Sequence, residues 1–153
     1  MTAREYFDRV RDASIELDRA CRTLERMRAQ VGVKTQRYDS PGVHGGGNAD
    51  PMARVDGIID YERVMERRME DDRALLQEAA TVLYGEDGRG GVSKGMGSAY
   101  ADAVYHRACD ARTWDSCARM MFMGRSRVAE LYNAALDYVD SVGVEGAMAG
   151  VEV

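Results

Sequence analysis

The sequence predicts an all-α protein in which a long antiparallel helical hairpin precedes a small C-terminal helix-turn-helix head. Three observations carry this expectation. Apolar residues recur at helical steps of three and four through most of the chain. Glycine-rich stretches interrupt that periodicity at residues 32–50 and 85–97. The two longest periodic stretches are also biased in charge: residues 1–38 hold nine basic and six acidic side chains, and residues 50–84 hold five basic and nine acidic. Segments of opposite bias attract when they lie side by side, which favours a hairpin.

The first helix opens on a capping box, Thr2 followed three residues later by Glu5, in which each side chain satisfies a backbone N–H of the first turn. Phe7, Val10, Leu17, Cys21, Leu24 and Val31 then mark a heptad seam, with Ser14 and Arg28 in its two remaining slots. The helix is expected to reach Ala29–Val31 and stop near Gly32. A flexible loop follows over 32–50, with one proline and five glycines. Asp50 caps the second helix, and Pro51 takes its first position, where a missing N–H is harmless. Val55, Ile58, Ile59, Met65, Met69, Leu76, Ala79, Val82 and Leu83 are expected to line its buried side, to an end near Tyr84. Residues 85–97, with six glycines, read as a hinge. The head spans 98–141, and residues 142–153 read as a flexible tail.

The chain has 153 residues, 45% hydrophobic and 31% charged, enough for one domain or a small head on an arm. No apolar run approaches the ~20 residues that cross a bilayer, so no membrane partner is expected. Charges in Met1–Tyr6 stand where a signal peptide has its apolar core, and a cytoplasmic location is the expectation. Cys21, Cys109 and Cys117 are odd in number and lack C-x-x-C spacing, which argues against a disulfide framework or a zinc site. A net charge of −5 speaks against a protein that coats nucleic acid non-specifically.

The candidate sites for chemistry are few. Ser93-Lys94 among glycines lacks the preceding strand and the Gly-Lys-Ser/Thr helix start of a phosphate loop. His44 falls in the loop. His106 has Asp102 and Asp110 four residues to either side, a pattern better read as a solvated helix face than as a metal site. Arg67 and Arg68 stand beside the acidic run Glu70-Asp71-Asp72, which reads as neutralisation within the hairpin. No Ser/His/Asp or Cys/His arrangement emerges, so neither an enzyme nor a cofactor is expected.

The informative stretch runs from Thr113 to Leu136. Thr113 suits the N-cap of a short helix with Asp115 in its first turn, burying Trp114, Cys117, Ala118 and Met121. A turn over Phe122–Gly124 leads to a second helix with Val128, Leu131, Ala135, Leu136 and Val139 on one face. Ala118 is small enough to let the two helices approach closely. This stretch resembles the helix-turn-helix of sigma factor region four. It is most similar to the phage- and prophage-encoded sigma-like proteins that include late-gene regulators of the ArpU and RinA type. Thr113-Trp114, Asp115, Ala118, Val128, Leu131 and Ala135-Leu136 carry the resemblance, and Met1–Tyr6 with the paired helices extends it.

The resemblance implies a transcriptional regulator of a bacterial host cell, with DNA and RNA polymerase as partners and a homodimer or higher oligomer formed through the hairpin. Arg119, Arg125, Arg127 and Asn133 would carry the DNA contact, with Ser126 orienting a backbone phosphate. Arginine suits phosphate or guanine, and asparagine suits adenine. The chain departs from the family's pattern at Phe122, where a turn glycine is usual, at Gly124, where Ser or Thr caps the second helix, and at Ala108, where a bulkier aromatic precedes the motif. Glu130 would repel phosphate, and the head holds five basic and six acidic residues. Two other readings use the same parts: a packaging protein akin to a small terminase subunit, and a protein-interaction module with a degenerate helix-turn-helix.

Overall fold

A computed structural model of the chain describes residues 1–36 and 51–153, and it is all-helical, with no strand among the described residues. The elements are α1 (Ala3–Gln36), α2 (Pro51–Tyr84), α3 (Gly91–Gly95), α4 (Ser98–Val104), a π-helical turn (Tyr105–Cys109), α5 (Trp114–Met121) and α6 (Arg125–Ala149). Most of the expected 32–50 loop, the Asp50 cap and His44 lie outside the described residues. Among those described, no helix is long and apolar enough to cross a membrane.

The start of α1 forms as expected. The Thr2 amide donates to Glu5 Oε2 at 2.7 Å, and the Glu5 amide donates to Thr2 Oγ1 at 3.2 Å. The Thr2 amide, and then the Thr2 hydroxyl donating to the same Glu5 Oε2 at 3.2 Å, hold the Glu5 carboxyl below its ordinary range. The far end differs, because α1 runs on to Gln36. One interior glycine costs a helix only about 1 kcal/mol, so Gly32 does not stop it. α2 starts at Pro51 and ends at Tyr84, as the sequence predicts.

The chain divides into two compact units: residues 17–71, and residues 1–16 together with 72–153. In the first, Ala20 and Leu24 of α1 are buried with Ile58 and Met69 of α2, and Leu17, Cys21, Met27, Val31, Tyr61 and Met65 pack around them. Arg28, one of the two polar residues in the seam, forms an ion pair with Glu62.

The second unit holds the larger core. Ala3, Tyr6, Phe7 and Val10 from α1 and Ala79, Val82 and Leu83 from α2 share it with Val92, Val104, Cys117, Val128, Leu131, Ala135, Leu136 and Val139. Ser14, the other polar residue in the seam, donates from its hydroxyl to the Cys109 carbonyl at 2.8 Å. The expected boundary between a 1–84 hairpin and a 98–141 head is therefore absent. Both long helices contribute one end to the C-terminal core, because a heptad stripe fixes which face is buried and not which element covers it.

Two further expectations fail for related reasons. The 85–97 segment is no free hinge: it contains α3, and Val92 is fully buried. The 142–153 tail is largely helical. Gly143, with φ 76° and ψ 166°, kinks α6, and the helix continues to Ala149 with Ala147 buried. The Tyr138 hydroxyl then donates to the Val151 carbonyl at 2.5 Å. Glycine content marked both stretches as mobile, yet here glycine serves close approach and a change of direction.

Candidate nucleic-acid interface

The segment from Thr113 to Leu136 forms a short helix, a tight turn and a long helix. Thr113 is extended and caps α5, its Oγ1 accepting from the Ser116 amide at 3.2 Å. α5 ends at Phe122, which adopts the left-handed conformation with φ 55° and ψ 40°. The Met123 amide closes the turn on the Ala118 carbonyl at 3.1 Å. α6 begins after Gly124, which offers no side-chain cap. The predicted buried face of α6 is present in full, since Val128, Leu131, Ala135, Leu136 and Val139 are all buried.

Trp114 holds the two helices together. Its ring meets Tyr132 of α6 edge-to-face, with centroids 5.3 Å apart. The Arg107 guanidinium lies over the indole, 4.5 Å from its centroid, and its Nη1 donates to the Arg112 carbonyl at 2.9 Å. The sole tryptophan thus acts as an anchor of the α5–α6 crossing. Burial and then the nearby Arg11 lower the Arg107 pKa, although a guanidinium remains charged at any physiological pH.

The residues singled out from the sequence fall in three places. Arg125, Ser126 and Arg127 occupy the exposed first turn of α6. Arg119 is exposed near the end of α5. Asn133 is exposed further along α6, and its Oδ1 accepts from Arg4 Nη2 of α1 at 2.9 Å. Near that contact, the Ala3 amide donates to Asp140 Oδ1 at 2.7 Å, so the first turn of α1 lies along α6. Nothing in the local sequence around Asn133 announces Arg4, because the two are brought together only by the fold.

Two of the arginines already have acidic neighbours. Arg125 pairs with Asp115 at 3.2 Å, and Arg127 pairs with Glu130 at 3.2 Å. All four side chains are largely exposed, where such pairs contribute about 0–1 kcal/mol and exchange readily for another anion. Phe122 was legible only as a departure from a glycine position, and the fold gives it a second property: it is 96% exposed. Of the neighbouring methionines, Met121 and Met123 pack against the core and Met120 is exposed.

The remaining candidates do not assemble. Burial pushes the Cys109 thiol up to about 12 and also raises that of Cys117, so neither is poised as a nucleophile. Asp102 accepts from the Tyr84 hydroxyl at 2.6 Å, and Asp110 pairs with Arg112. Among the described residues no group of His, Cys, Asp and Glu is placed to hold a metal. Ser93-Lys94 lies in α3, after the helix α2 and not after a strand. Compared with known proteins, the chain matches no family model, no curated relative and no solved structure.

Proposed function

We propose that the protein is a phage-type transcriptional regulator resembling sigma region four, which binds promoter DNA through a helix-turn-helix made of α5 and α6 and contacts RNA polymerase. One observation supports this above the others. The first turn of the longer helix presents Arg125, Ser126 and Arg127 outward, directly after a tight turn from a short capped helix. In that geometry the N-terminal residues of the second helix reach base edges while the first helix crosses the backbone. Gly124 leaves the first-turn amides of α6 without a side-chain cap, which suits a phosphate oxygen. A dimer would present two such units to two half-sites.

The test is a mobility shift on phage promoter DNA, titrated against salt. Wild-type protein should shift the DNA at low salt. Changing Arg125 and Arg127 together to Ala should weaken binding and flatten the slope of log K against log salt by about 2, one unit per lost phosphate contact. Absence of any shift on promoter or packaging-site DNA at low salt would falsify the DNA reading.

A second reading, a protein-interaction module, is favoured by Phe122. A left-handed conformation costs a non-glycine residue about 1 kcal/mol, and full exposure returns nothing through packing. Strain without any return from packing favours a contact outside the chain. Phe122→Gly should therefore leave stability unchanged or raise it by up to about 1 kcal/mol in urea denaturation. If the same variant keeps wild-type DNA affinity but loses binding to RNA polymerase, Phe122 serves the protein partner. A loss of stability in Phe122→Gly would show that the side chain is structural.

A further inference from the structure

We propose that the outer face of α2 between Asp56 and Arg67 is an antiparallel homodimer contact. The inference stands apart from the DNA reading, since dimerisation is measured without DNA. At 3.6 residues per turn, Asp56, Asp60, Arg63 and Arg67 fall within an arc of about 60°. All four are exposed. The helix turns the opposite side, with Ile58, Tyr61, Met65 and Met69, toward its packing with α1. Among the described residues none of the four forms an ion pair within the chain.

The order of these charges is the unusual feature. Asp56 and Asp60 are four residues apart, as are Arg63 and Arg67, and like charges at that spacing repel on a helix surface. Asp60–Arg63 and Arg67–Asp71, three and four residues apart, offset this repulsion in part, yet among the described residues neither closes to an ion pair, and the face keeps two acids followed by two bases. A second copy laid antiparallel sets an opposite charge against each of the four. With a two-fold axis between Tyr61 and Glu62, Asp56 faces Arg67 of the second copy, and Asp60 faces Arg63. Each contact then occurs twice, as an isologous interface requires.

The same axis accounts for two exposed aliphatic residues. Ile59, expected on the buried side of α2 but 47% exposed because it falls outside the arc that packs on α1, lies on one side of the charged stripe, and Val64, 70% exposed, lies on the other. In the dimer each meets its own copy across the axis, so the ion pairs are flanked by apolar contact on both sides. A parallel pairing would instead set Asp56 and Asp60 beside their own copies and compound the repulsion. Charge order thus selects both the partner, a second copy, and its direction.

Sedimentation equilibrium on the full chain tests this. Wild type should dimerise, with a dissociation constant that rises at least about tenfold between roughly 50 mM and 500 mM salt, as screening of the ion pairs demands. Arg63→Asp with Arg67→Asp should weaken the dimer by about tenfold or more. Adding Asp56→Arg and Asp60→Arg restores complementary order and should bring the constant back to within about threefold of wild type. Circular dichroism checks that each variant keeps its helix content, and the salt titration decides the matter on wild type alone should a variant unfold. A monomeric wild type, a salt-independent constant, an unaffected reversal variant or a swap that fails to restore the dimer each overturns the proposal.

Discussion

Phe7→Ala is expected to destabilise the C-terminal core by about 3–5 kcal/mol, although Phe7 belongs to the first helix. The ring is fully buried, packs edge-to-face on Tyr6 with centroids 5.0 Å apart, and shares its core with Val104, Val128 and Leu131. Truncation removes apolar area and leaves a cavity that α1 cannot close, because the Ala3–Asp140 and Ser14–Cys109 hydrogen bonds hold it on either side. Trp114 is the only tryptophan, so its fluorescence reports unfolding of the α5–α6 crossing directly. In urea the Trp114 transition of Phe7→Ala should move to lower concentration together with the circular-dichroism transition. Were the hairpin and the head separate modules, the fluorescence midpoint would stay at its wild-type value, and that result would refute the shared core.

Gly91→Ala is the second large effect, a loss of about 3 kcal/mol or more in the same denaturation experiment. Gly91 has φ +69°, and a Cβ there would lie 2.4 Å from the Leu83 carbonyl carbon and 2.4 Å from the Tyr84 nitrogen. Both are backbone atoms at the end of α2, so no rotamer change relieves the clash. Gly88 is the control. It has φ +77° but open space around its Cβ position, so Gly88→Ala should cost only the backbone term of about 1 kcal/mol. Equal effects of the two substitutions would mean that α3 does not seat against α2, and that the 85–97 stretch is a free hinge after all.

The helical class was open to reading because it rests on local rules. The Thr2–Glu5 box, the Pro51 start, the Thr113 cap and the buried face of α6 each follow from residue identity and spacing within one or two turns. Glycine-rich segments misled for a physical reason. Composition says that glycine permits unusual backbone angles, but not whether the chain uses them for freedom or for close packing. Gly91 uses them to bring α3 against α2, and Gly143 to redirect α6.

The candidate interface divides along the same line. Arg119, Arg125, Ser126 and Arg127 are exposed, as the periodicity of α5 and α6 requires. Their present partners were partly foreseeable, since Arg127 and Glu130 are three residues apart on one helix. Arg4 on Asn133 was not, because that contact spans nearly the whole chain. Phe122 stood out in the sequence as a misfit at a turn, and only the backbone angle and the exposed ring gave that misfit a meaning.

By itself the sequence determined the helical class, the starts of α1, α2 and α5 and the buried face of α6, because capping and periodicity act over a few residues. Only the tertiary structure decided that the ends of α1 and α2 share a core with α3–α6, and that α2 keeps Asp56, Asp60, Arg63 and Arg67 on its free side. An apolar stripe drives burial without naming a partner, since the hydrophobic effect is non-directional. Which surfaces meet is set by chain connectivity and shape, and those exist only once the helices have packed.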